Sequence, residues 1–196
     1  MKRTVPQPIK IIDNFLEAPE LWRHYGLKHV ELGCESPSLD YLNLSLFHSI
    51  ASALMMHIYD KKTFAQLKLN FVLGDASFNK GWVQQVDPHW NIAGTIFLNP
   101  NPPRESGLLL HTKTGSTDQN YAQLIIDEEA AAPEARIGFE KFKIEQRMLY
   151  KQTMTIENVF NRCVIMPANE WYNVTNYFGD TKDTARLTLN FYGVAV

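Results

Sequence analysis

Past residue 62 the chain is cut into short extended runs, and this punctuation limits the fold more than any other feature. The runs are Leu67–Leu73, Trp82–Asp87, Ile92–Leu98, Gly107–Thr112, Met154–Ile156, Cys163–Pro167, Trp171–Thr175 and Ala185–Val194. A polar stretch with a candidate helix around Phe139–Tyr150 interrupts them. Short runs rich in β-branched and aromatic residues, bounded by Gly, Pro and Asn, read as strands. About eight of them suggest a sandwich or barrel, and an antiparallel jelly roll is the natural closed arrangement.

The residues before 62 follow a different period. Ile9–Leu16 suits a short strand. Pro19 then stands where a first helical turn tolerates proline, followed by an apolar stripe of Leu21, Trp22 and Tyr25 before Gly26. Phe47, Ile50, Ala51, Leu54 and Ile58 keep i, i+3, i+4 spacing, which predicts a helix over about Leu44–Tyr59. The expected class is mainly β with N-terminal helices (α+β). One domain spans 1–196, with a helical part to about 62 and a barrel over about 63–196.

Composition narrows the function classes. With 45% apolar residues the chain has ample core material and no case for disorder. A net charge of −2 argues against an electrostatic nucleic-acid or membrane binder. Cys34 and Cys163 have neither metal-ligand spacing nor the look of a disulfide framework. The polar N-terminus holds two prolines and does not read as a signal peptide, and no apolar run approaches the roughly 20 residues of a membrane span. The expected setting is the cytoplasm.

Several motifs in order resemble one family. Trp82-Val83-Gln84-Gln85-Val86-Asp87-Pro88 is followed by Ala93-Gly94-Thr95-Ile96-Phe97-Leu98-Asn99-Pro100, then Pro102-Pro103, Ser106-Gly107 and His111-Thr112-Lys113-Thr114-Gly115. Ile12-Asp13-Asn14-Phe15-Leu16 opens the series. Asn161-Arg162, Tyr177-Phe178-Gly179 and Arg186-Leu187-Thr188 close it. The series resembles the non-haem Fe(II)/2-oxoglutarate-dependent oxygenase superfamily, in its prolyl-hydroxylase-like branch found in bacteria and phages. The resemblance covers most of the chain. It implies a double-stranded β-helix, the cupin-like jelly roll, with helices packed on one face.

Such enzymes hold iron with two histidines and a carboxylate, leaving positions open for co-substrate and oxygen. The first histidine and the carboxylate stand two apart, because residues i and i+2 of a strand share a face. On this resemblance Asp87 takes the carboxylate position, and Gln85 stands where the first histidine belongs. Asn173, or Tyr172 with the register shifted by one, stands where the second belongs. Two of three ligands are thus replaced. A rebuilt site would need Asp87 with His89 and His111, although a loop residue and a hydrogen-bonded strand residue are the plainer readings of those two histidines. His24, His29, His48 and His57 lie in the helical half, where His48 and His57 flank the apolar stripe and read as boundary residues.

Arg186 and Thr188 resemble the pair that grips the distal carboxylate of 2-oxoglutarate, where a guanidinium fork binds a carboxylate bidentately. Arg186, Thr188, Asn190 and Tyr192 share one face of their strand, with Leu187, Leu189 and Phe191 on the other. Taken alone, that polar face reads as solvent-exposed; the resemblance turns it into a barrel lumen. Asn99 and Phe97 line the matching strand, and Phe97 stands where relatives often carry tyrosine. Trp82, Trp90, Trp171, Tyr172 and Tyr177 fall near the mouth, where aromatics usually pack the core or rim.

Three functions fit. The first is a degenerate oxygenase-like domain without iron, acting as a binding or structural protein for a small anionic ligand. The second is an active dioxygenase with Fe(II), 2-oxoglutarate and an unusual iron site. The third is an unrelated jelly-roll binding module. Fold alone does not choose among them.

Overall fold

A computed structural model describes residues 8–58, 63–78 and 81–196. The expected helix end at Tyr59 and the boundary at 62 lie outside these residues. Two β-sheets and a set of helices make up the described part. The large sheet has the order β1 (Lys10–Ile12), β7 (Cys163–Pro167), β4 (Ile92–Phe97), β9 (Arg186–Ala195), β3 (Phe64–Gly74), β2 (Cys34–Glu35). The small sheet has the order β6 (Tyr150–Ile156), β5 (Leu108–Lys113), β8 (Trp171–Val174). Every pairing between these strands is antiparallel. From β3 onward the chain passes back and forth between the sheets, so strands adjacent in space are seldom adjacent in sequence.

Helix α1 (Pro19–His29) starts at the expected proline, and α3 (Leu44–Met55) is N-capped by Asn43, whose side chain accepts from Leu46 N. A one-turn helix α2 (Leu39–Leu42) precedes α3. Trp22, Ile50 and Leu54 pack with Leu69, Phe71, Leu187, Leu189 and Phe191 on the outer face of the large sheet. Each such side chain contributes about 1.5–3 kcal/mol on burial. A second cluster, with Phe97, Leu108, Leu110, Ile156, Val164 and Met166, lies between the sheets. The alternation along β9 divides these two cores: Leu187, Leu189 and Phe191 face the helices, and their neighbours face the other sheet.

Two expectations need correcting. The run at 82–87 is not a strand; it makes a single bridge, Gln84 to Tyr172, at the free edge of β8. Its other edge is capped by a side chain, because Gln146 accepts from Val83 N at 2.9 Å and donates to Val83 O at 2.5 Å. Pro88 then has no N–H to extend a ladder. The polar stretch also holds more structure than expected: α4 (Tyr121–Ala130) precedes α5 (Glu140–Arg147). Asn120 caps α4 by accepting from Gln123 N at 3.2 Å.

Gly94 shows how tightly β4 is packed between its neighbours β7 and β9 in the large sheet. A Cβ there would lie 2.0 Å from the Val164 carbonyl oxygen and 2.2 Å from Phe191 Cζ. Gly94→Ala should therefore destabilise the protein by about 1–3 kcal/mol, the cost of overpacking a core. Urea unfolding measures this, and a change within 0.5 kcal/mol, as at an open surface site, would contradict the packing described.

Candidate functional site

The space between the sheets holds a cavity of about 70 Å³, lined by Val72, Gln84, Val86, Thr95, Met166, Tyr172, Tyr177, Arg186, Asn190 and Tyr192, with Glu35 and Phe78 among the other lining residues. The polar face of β9 is thus directed inward. The register sets the order along it: Arg186 pairs with Gly74, Thr188 with Val72, and Asn190 with Asn70.

Arg186 is 3% exposed. Its Nε donates to Ser106 O at 3.2 Å, and its guanidinium carbon lies 5.5 Å from the Phe97 ring centroid and 5.3 Å from that of Tyr177. Among the described residues no carboxylate forms an ion pair with it. Burial pulls its pKa below the ordinary arginine value, and the neighbouring Tyr177 works in the opposite direction. An arginine stays charged in any case, so this cation is held between the sheets with aromatic faces and one carbonyl as neighbours. Thr188, on the same face of the strand, is fully buried, and its hydroxyl oxygen has no hydrogen-bond partner.

The sequence-derived site residues fall into three places. Arg186 and Thr188 lie on the inward face. Asn99 is buried but ties strands together: its side chain donates to Ala185 O at 2.8 Å and accepts from Leu187 N at 2.7 Å. Gln85 and Asp87 share a face, as expected, but that face is exposed and outside the cavity lining. Gln85 donates to Asn169 O at 2.5 Å, and Asp87 Oδ1 accepts from His89 N at 2.8 Å, a local turn. His89 is exposed and contacts Gln66. His111 and Asn173 are brought together, Nε2 to Oδ1 at 2.7 Å, but beside Tyr150 and Gln152 rather than in the cavity.

The inward positions of the 82–87 segment are therefore Gln84 and Val86, and those of β8 are Tyr172 and Val174. Backbone bonds of 2.9 Å in each direction hold Gln84 against Tyr172. Helices α4 and α5 clamp the segment from behind: Trp82 Nε1 donates to Glu128, and Glu128 pairs with the buried Lys143 at 2.5 Å. An Fe(II) centre of the expected kind needs two imidazoles and a carboxylate. An amide, alkyl groups and a phenol do not fit it. Among the described residues no group of three His, Cys, Asp or Glu could hold a metal ion. The alternation of apolar Val86 with Gln85 and Asp87 was the signal in the sequence for this register.

Comparison with known proteins finds no sequence relative: no protein-family model matches the chain, and no curated protein matches it. Solved structures that resemble it include a prolyl hydroxylase from Trichoplax adhaerens, in complex with a hypoxia-inducible-factor oxygen degradation domain peptide fragment. That match has 12% identity and a TM-score of 0.47, over 94% of this chain and 82% of that one. Another is a Pseudomonas putida prolyl-4-hydroxylase, with 10% identity and a TM-score of 0.45, over 95% and 92%. No helix among the described residues is long and apolar enough to cross a membrane.

The phenols carry a testable pH signature. Burial pushes the Tyr172 hydroxyl up to about 12, with Tyr177 adding to the rise, and burial also raises Tyr192. Above pH 10 the unfolded chain ionises these groups while the folded chain keeps them protonated, so the unfolded state binds fewer protons and stability falls as pH rises. The Tyr172 contribution should be complete below about pH 10 and lost towards about pH 12. In urea unfolding at stepped pH, Tyr172→Phe should flatten this alkaline decline; an unchanged slope would place the hydroxyl in water.

Proposed function

We propose that this chain is a single-domain, 2-oxoglutarate-oxygenase-like double-stranded β-helix that has lost its iron site and binds a small anion on Arg186. The observation that carries the reading is the buried guanidinium, which has no carboxylate partner among the described residues. A buried charge is normally paired, and an unpaired one is costly unless a ligand supplies the opposite sign. Passage of the chain between two antiparallel sheets supports the barrel, together with the motif series from Ile12 to Thr188. Gln84, Val86 and Tyr172 at the inward positions support the loss of iron, so the reading assigns neither Fe(II) nor oxygen chemistry to the chain. Two free cysteines accord with a reducing compartment, the cytoplasm in this reading.

Binding can be read as stabilisation. Acetate, phosphate and sulfate, each against chloride at equal ionic strength, should raise the melting temperature along a saturating curve. Linkage sets the gain at about 2.7 kcal/mol when ligand is a hundredfold above its Kd. Sulfate also stabilises proteins without a site, so the comparison with Arg186→Ala decides. The saturable part should vanish in that variant and survive, weakened, in Arg186→Lys. Equal curves for wild type and Arg186→Ala would overturn the proposal. Stoichiometric Co(II) binding that disappears in Asp87→Ala would instead favour an oxygenase with an unusual metal site.

A further inference from the structure

The cavity is polar at two levels, and the two differ in sign. At the Arg186 level the lining group is a donor, the guanidinium, with the buried Thr188 hydroxyl two residues on. The register sets Glu35 beside Val72, which pairs in turn with Thr188, two residues or about 7 Å along the strand direction from Arg186, and it brings Asn190 beside Asn70 two residues further on. At this second level Glu35 supplies the acceptor. Asn70 Nδ2 donates to Glu35 Oε2 at 2.8 Å, which directs the carboxylate inward from the exposed strand β2. Asn70 itself is fully buried and holds the Glu35 carboxylate in place without lining the cavity. Asn190 Oδ1 accepts from Thr95 Oγ1 at 2.8 Å. Glu35 and Arg186 line one cavity yet form no ion pair.

We propose that the ligand is a small zwitterion, an amino acid with its carboxylate on Arg186 and its ammonium directed to Glu35. The inference rests on the anion-binding reading and adds the second charge. Two physical arguments favour it. An ammonium is a donor with no acceptor, so it satisfies a carboxylate that has no cationic partner among the described residues. A dicarboxylate would place its second charge towards Glu35, and like charges in a partly desolvated site repel strongly. Size agrees: about 70 Å³ suits a few heavy atoms, well below the several hundred Å³ of ordinary drug-sized pockets. The aromatic faces of Tyr172, Tyr177 and Tyr192 add cation-binding surface along the wall.

Calorimetric titration of the whole chain tests this with chain-matched pairs: β-alanine against succinate, γ-aminobutyrate against glutarate, and glycine against malonate, with acetate as the anion-only arm. At least one amino acid should bind tenfold or more tightly than its dicarboxylate partner. Glu35→Gln, at an exposed position on a two-residue edge strand, should cost that amino acid tenfold or more, improve the dicarboxylate, and leave acetate within about twofold. If acetate binds through Arg186 but every dicarboxylate equals or exceeds its amino acid, the zwitterion is wrong and the anion reading stands. An unchanged amino-acid affinity in Glu35→Gln also overturns it. If neither acetate nor any amino acid binds, the anion reading falls with it.

Discussion

The two faces of β9 cannot be exchanged, and most of the molecule follows from that. Leu187, Leu189 and Phe191 are sealed against the helices, while Arg186, Thr188, Asn190 and Tyr192 face the small sheet. A slip of one residue would put the guanidinium into the helix-packed core and turn the leucines into the cavity, so the register is strongly specified. Asn99 reinforces it by bonding the backbone on both sides of Arg186, at Ala185 and Leu187. The arginine is thereby committed to a low-dielectric space whatever becomes of the rest of the site.

A strand that alternates between Leu and polar residues, and a helix with apolar side chains at i, i+3, i+4, announce themselves because their periods are set by burial of one face. That is why α3, β4, β7 and β9 were legible in the sequence close to their observed limits. Helix α4 escaped the periodicity because its burial is slight: among its residues only Glu128 is buried, and it is charged. Its start was still marked, since Asn120 is a favoured N-cap residue. Strand β2 has two residues and no period to read.

The site was legible in part, and the failure is instructive. Arg186 and Thr188 could be placed because a ten-residue strand carries its own register. Segment 82–87 has no ladder, and Gln85 and Asp87 drew attention through their spacing rather than their burial. Val86 is the better guide: an apolar residue two along from Gln84 turns that pair inward and leaves Asp87 to close a turn with His89. Asn173 and His111 fell on the outer side of the small sheet for the same reason, since Leu108, Leu110, Tyr172 and Val174 occupy the inner side. Glu35 and Asn70 were missed altogether. They lie far apart in sequence and meet only because β2 pairs with β3.

The inner surface that results is tyrosine-rich, with one arginine and a carboxylate at its edge. The most direct measurement of this account is a crystal of the protein soaked in selenate, with diffraction collected at the selenium edge. The account predicts an anomalous peak between the two sheets, within hydrogen-bonding distance of the Arg186 guanidinium. Arg186 paired with a protein carboxylate, or turned out to solvent with no peak between the sheets, would contradict it.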